Sequence, residues 1–250
     1  MSGGHRSLAE RLRSLRNPLR EGVVGDPWGT VRGDVGEIHR EVFETCLAAL
    51  EEVRDGHSSA GIVIHGAPGS GKTHLIGRLR RRLIDDCRTP TFERPSHAFA
   101  YIRLNANPAS LARHVRRCIA TDLLRRSSGA PSQLELMVLG RLMEVHNGGG
   151  DIGLWWDCFL ESAAHELDDL IEQIGDADSL SPAFRSVLRL IVLKQHRRDV
   201  AAWLRGDGLT DAARERLGVP PDREDEDSEQ VAQHELLDII SLAGRQTTLV

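Results

Sequence analysis

The sequence predicts an α/β fold in which a partial parallel sheet is joined to a large helical insert or extension. Three observations predict it. A β-branched run, Ala60–His65, sits between a Gly/Ser turn and a glycine-rich loop, and a helical stripe (Leu75, Ile76, Leu79, Leu83, Ile84) follows. A second strand-like run, His97–Leu104, comes shortly after. From residue 108 onward, most segments carry helical apolar spacing. A strand–loop–helix–strand order implies parallel strands joined by a right-handed crossover.

The elements follow in order. Leu8, Leu12, Leu15 and Leu19 form a stripe among Arg6, Arg11, Arg13, Arg16 and Arg20, which predicts an amphipathic helix over residues 1–20, closed by Asn17-Pro18. Residues 21–34, rich in Gly and Pro, read as an extended loop. Ile38, Val42, Phe43, Cys46, Leu47, Leu50 and Val53 predict a helix that Asp34 or Gly36 starts and Asp55-Gly56 stops. Residues 108–126 read as a helix, and further helices are expected at about 132–146, 152–174, 182–205 and 230–243. Residues 220–229 form an acidic, solvated loop. Thr247–Val250 reads as the opening of another strand. The expected organisation is thus a helix at 1–20, a core at 21–126, a mainly helical region at 127–246 and a further core strand beginning at 247–250.

Composition narrows the function classes. Hydrophobic residues make up 40% and charged residues 28%, a globular balance. Aromatics are only 4%, which argues against a stacking platform for single-stranded nucleic acid. No apolar run approaches the ~18 residues of a membrane span, and the N-terminus has no long apolar stretch of the secretory kind. A cytoplasmic location is expected, with Cys46, Cys87, Cys118 and Cys158 as free thiols. His114 and Cys118 share a helix face, but zinc is not expected there because no further ligands stand nearby. Residues 1–126 carry 21 basic and 14 acidic groups, and residues 127–250 carry 11 and 23, so the two halves are expected to neutralise each other within the fold.

Gly66-Ala67-Pro68-Gly69-Ser70-Gly71-Lys72-Thr73 matches GxxxxGK[ST], the phosphate-binding P-loop. Glycines let the backbone curl so that its N–H groups face the phosphates, and the helix start adds its dipole. Lys72 is expected at the β- and γ-phosphates, the Thr73 hydroxyl on Mg²⁺, and His74 beside them. ATP and Mg²⁺ are the expected ligands. Of the 32 basic residues only Lys72 and Lys194 are lysines, so the loop takes one of two compact ammonium groups in an arginine-rich chain.

Hydrolysis needs an acidic group as well. Asp157, after Ile152-Gly-Leu-Trp-Trp156, is a weak candidate, because Trp155 and Trp156 read as core anchors and a helical pattern follows. Leu236-Leu-Asp238 lies in a helical stripe and Asp85-Asp86 at the far end of the loop helix. The expectation is instead that Thr247–Val250 opens a strand whose acidic end lies beyond this chain.

The stretch from Val23-Val-Gly-Asp-Pro-Trp28 through Asp34–His39 to the P-loop resembles the N-terminal half of an AAA+ type ATPase, most similar to its origin-recognition-like and STAND-like bacterial branches. That resemblance implies a P-loop NTPase sheet core. It also implies a segment, residues 23–43, that closes over adenine. Ala202–Gly206 with Leu209 and Leu217-Gly218 is similar to a helical insert in ATP-binding proteins of bacterial defence-type operons. The chain shows no Walker B, sensor or arginine-finger match.

The function expected is ATP binding by part of an ATPase that couples hydrolysis to remodelling or regulating a macromolecular partner, with self-assembly as another form of partnership. The alternatives are a nucleotide-dependent switch or scaffold with little turnover, a small-molecule kinase, and a DNA-binding regulator. Leu209–Val219 resembles the first helix and turn of a helix-turn-helix, but Pro220-Pro221 and six acidic residues follow and would repel a phosphate backbone. Arg80-Arg81-Arg82 and Arg125-Arg126 read as solvated faces rather than a kinase lid.

Overall fold

The computed structural model describes residues 26–29, 36–56, 58–85, 96–103, 108–126, 130–221, 228–243 and 247–250. The helix expected at 1–20 and Cys87 lie outside the described residues, as do most of the 21–34 loop and residues 222–227 of the acidic loop.

Helix α1 spans Arg40–Gly56, and α2 spans Lys72–Arg80 before winding into a π-helical turn, Arg81–Asp85. Strand β1 is His97–Ala98. A 3-10 turn, Pro108–Ser110, leads into α3, Leu111–Leu123. Then come α4 (Gln133–Val145), α5 (Ile152–Ser162), a 3-10 turn (Ala164–Glu166), α6 (Leu167–Ala177), α7 (Pro182–Val192), α8 (Arg197–Arg205), α9 (Asp211–Leu217), α10 (Ser228–Ala243) and β2 (Thr248–Leu249).

β1 and β2 pair in parallel, His97 against Thr248 and Ala98 against Leu249. Ladder bonds continue past the strand ends: Val250 N–H donates to Ala98 O (2.7 Å) and Ala100 N–H to Val250 O (2.8 Å). Thr248–Leu249, within the segment expected to be strand, is therefore paired. The other edge of β1 is closed by side chains. Gln133 Oε1 accepts from Phe99 N–H (2.8 Å), Gln133 Nε2 donates to Phe99 O (3.0 Å), and Asp122 Oδ2 accepts from Tyr101 N–H (2.8 Å). The primary amide of Gln133 imitates a neighbouring strand, which satisfies an edge that would otherwise invite pairing.

The period of two along this segment separates two cores. Ala98, Ala100 and Ile102, with Leu249, face the large helical core. Phe99 and Tyr101, with Val250, face a smaller cluster made with Leu47 and Leu50 of α1 and Ile76, Leu83 and Ile84 of the α2 arm. Trp28 closes that cluster edge-on to Phe99, with ring centroids 5.5 Å apart.

α4 is the hub of the large core. It packs on α3, α5, α6, α7 and α10, and every residue from Gln133 to Gly140 is buried. A helix apolar on nearly all sides belongs at the centre. Its start is a capping box: Ser132 Oγ accepts from Glu135 N–H (3.2 Å), and Glu135 Oε2 accepts from Ser132 N–H (2.7 Å). Trp156 and Phe159 are buried as core anchors, and Trp155 stacks on Phe159.

Three expectations are corrected. First, the described residues are mostly helical and their parallel sheet has two strands, so they do not show the P-loop NTPase sheet core of the predicted α/β fold. Ala60–His65, read as a buried strand, is irregular and largely exposed, with Val63 87% accessible. The β-branched run signals readiness to be extended, but a strand needs a neighbour, and no described segment pairs with it. Second, the helix expected over 152–174 breaks at Ala163. Ser162 Oγ donates back to Cys158 O (2.7 Å), a bond that bends helix ends. The helix expected over 182–205 breaks at Lys194 and His196, both left-handed (φ 56° and 45°). There Gln195 N–H donates to Leu190 O (2.9 Å), the six-residue closure of a Schellman end. Third, Ser228 and Glu229, expected in the acidic loop, open α10.

The charge halves do meet. Arg113 and Arg116 of α3 pair with Glu229 and Glu235 of α10, Arg117 pairs with Asp207, and Arg126 pairs with Glu135. No helix among the described residues is long and apolar enough to cross a membrane.

Candidate phosphate-binding loop

The loop predicted from spacing sits where α2 begins. Gly66, Ala67, Pro68 and Gly69 are exposed, and Ser70, Gly71, Lys72, Thr73 and His74 are half-buried. Gly69 and Gly71 take left-handed φ values of 80° and 88°, a conformation that disfavours any side chain. Ser70 N–H donates to Ala67 O (3.1 Å), tightening the curl. The Lys72 ammonium folds back across the curl and donates to Gly66 O (2.8 Å) and Ala67 O (2.9 Å). An ammonium has three donors, and these two bonds use two of them.

The start of α2 is chemically unusual. Its N-cap is Gly71 with no side-chain cap, and its first turn has no acidic residue. By contrast, α4, α5, α7 and α9 are capped by Ser132, Asp151, Ser181 and Thr210. Although α3, α6 and α8 also lack a side-chain N-cap bond, each has a carboxylate at its start. Glu229 accepts from Ala112 N–H of α3, Asp168 and Asp169 lie in the first turn of α6, and Asp199 lies in that of α8. The first N–H groups of any helix lack intrahelical acceptors, and the dipole there favours an anion. Lys72 adds positive charge in the same turn. The combination suits an oxyanion better than it suits the bare helix.

Residues outside the motif hold the loop. His39 Nε2 donates to Ser70 O (2.9 Å). Arg78 of α2 is buried, and its guanidinium donates to Ile38 O (2.8 Å) and Gly36 O (3.3 Å) and lies 4.6 Å from the centre of the Phe43 ring. The sequence offered one clue to Arg78: it follows Leu75 by three residues, beside the apolar stripe, where a long aliphatic stem is readily covered. Nothing local pointed to His39.

One arginine of the two clusters, Arg80, departs from the solvated face expected, whereas Arg125 and Arg126 are exposed as expected. Arg80 is buried and stands 5.0 Å from the Trp28 ring, while Arg125, on the other cluster, stands 4.7 Å from it. Both therefore stack on the tryptophan that closes the small core. Arg82 is exposed, as expected.

The other candidates lie elsewhere. Asp157 is exposed on α5, which packs on α4 and the 3-10 turn, whereas α2 packs on α1. Asp238 is buried and accepts from Ser181 N–H (2.9 Å) and Oγ (2.6 Å), a structural tie between α10 and the start of α7. Among the described residues, no group of three or more His, Cys, Asp or Glu converges as a metal site. His114 Nε2 lies 3.7 Å from Cys118 Sγ. In the helix-turn-helix-like segment, Arg214 pairs with Asp211 (3.2 Å) and Arg216 with Asp199 (2.8 Å). A cleft of about 540 Å³ between α3, α8 and α10 includes Trp203, Arg116, Glu235 and Asp238, and its buried charges are matched within the protein.

Comparison with protein-family models, with curated proteins and with solved structures gives no match to this chain.

Proposed function

We propose that Gly66–Thr73 binds the phosphates of ATP with Mg²⁺. The observation that carries this reading is the uncapped start of α2, where left-handed glycines curl the chain and Lys72 folds over the curl. The Gly69, Gly71, Lys72 and Thr73 amides act as donors, the Lys72 ammonium spans the outer phosphates, and the Thr73 hydroxyl ligates Mg²⁺. His74 stands in the same first turn. On the resemblance of residues 23–73 to AAA+ type ATPases, binding serves to remodel or regulate a macromolecular partner.

Titration calorimetry with ATP–Mg²⁺ tests the reading. Saturable binding is expected, weakened about 10- to 100-fold by Lys72→Ala, the loss typical of a hydrogen-bonded charge. Absence of binding, or equal affinity in the variant, contradicts it. Phosphate release on incubation with ATP separates an energy-coupled ATPase from a switch that binds without turnover.

A further inference from the structure

We propose that His39 is a positioning residue for this loop: its Nε2–H holds the Ser70 carbonyl on one side and so presents the Gly71 N–H, on the other, to a bound phosphate. The inference rests on the reading that the loop binds phosphate. It adds a residue that the GxxxxGK[ST] string does not contain.

A carbonyl oxygen can only accept, so the 2.9 Å contact from Nε2 to Ser70 O requires the proton on Nε2. The peptide that carries this carbonyl also carries the Gly71 N–H. In a planar trans peptide the two point in opposite directions. Fixing one therefore fixes the other. Left alone, a glycine-flanked peptide in an exposed curl rotates easily, and each rotated state must be reversed before a phosphate is held. The imidazole removes that freedom in advance.

The ring is itself held in place. His39 has a left-handed backbone (φ 56°), which costs a residue with a side chain and persists only where surroundings enforce it. The enforcing group is Arg78. Its buried guanidinium takes the carbonyls of Gly36 and Ile38 on either side of Glu37 and stacks on Phe43. The turn Gly36–His39 is thus pinned to α2, the helix that the loop opens. The imidazole lies close against Gly71, where even an added Cβ would come within 3.5 Å of Nε2.

The test uses inorganic tripolyphosphate, with ATP–Mg²⁺ in parallel, on wild type, His39→Ala and His39→Gln. Both variants keep the same backbone demand, and the Gln amide nitrogen can replace Nε2 as donor. His39→Ala is expected to lose about 5- to 10-fold in affinity, the worth of one oriented hydrogen bond, and His39→Gln to recover to within about twofold of wild type. Thermal midpoints should be close for all three, because His39 is exposed. Equal affinity in wild type and His39→Ala overturns the role of His39 while leaving the loop's function standing. A His39→Gln variant as weak as His39→Ala overturns it too. Failure of the wild-type chain to bind either ligand removes the phosphate reading and this proposal together.

Discussion

Two helices of this protein begin in opposite ways. α4 starts with a closed box in which Ser132 and Glu135 satisfy each other's backbone N–H groups. α2 starts with Gly71, Lys72 and Thr73, no side-chain cap and no acidic residue in the first turn. The first arrangement serves the fold and leaves little for a ligand. The second leaves the helix end poorly served by its own chain and available to an anion. The surroundings match: α4 is at the centre of the large core, whereas the loop before α2 is exposed. On the phosphate-binding proposal, stability and binding separate between these two helix starts.

The comparison can be broken at several strengths. The largest stability effect is expected inside the hub. Leu142 on α4 is fully buried, and Leu142→Ala should cost about 2–5 kcal/mol through lost transfer and an unfilled cavity, read from urea unfolding. Phosphate affinity of the variant that remains folded should be unchanged. Lys72→Ala should do the reverse, with its large effect on binding and a stability loss of about 1 kcal/mol or less. The two hydrogen bonds it gives up, to Gly66 O and Ala67 O, lie in an exposed curl that water can reach. Ser132→Ala opens the box and should cost about 1 kcal/mol without touching phosphate affinity.

The smallest effect concerns pH. Burial, helped by the nearby Arg54 charge and opposed by Glu51, holds the His97 imidazole below its ordinary value of 6.5. The unfolded chain therefore takes up a proton first as pH falls, and stability declines from about pH 6.5 downward until the folded form also protonates. His97→Asn, which retains an amide near Ser96 Oγ, should lose less stability than wild type between pH 7.5 and pH 5.5 in urea titrations. An equal loss contradicts the assignment.

Much of this was legible in the sequence, and the misses have physical causes. Helical spacing placed α3, α4 and α10 within a few residues, because one buried face leaves a clear period, whereas α1 begins only at Arg40, after a turn at Gly36–His39 that includes Ile38 of the expected stripe. The breaks at Ala163 and at Lys194–His196 left no such mark: left-handed backbone at Lys and His is set by neighbouring packing, not by residue type. Thr248–Leu249 pairs as a strand because β1 lies beside it, while Ala60–His65, with a stronger β-branched signal, has no described neighbour. Strand identity belongs to pairs, and a single run shows only half of one. The glycine curl before α2 was readable because its residues are contiguous. His39 and Arg78 were not, because their contacts span 31 to 42 residues.

The central claim, that the start of α2 is an anion site made of backbone N–H groups and Lys72, is tested most directly by amide NMR. Tripolyphosphate added to the ¹⁵N-labelled protein should shift the Gly69, Gly71, Lys72 and Thr73 amides in a saturable way and leave Ser132–Glu135 at the start of α4 unmoved. Shifts confined to other regions, or none at all, would contradict the account.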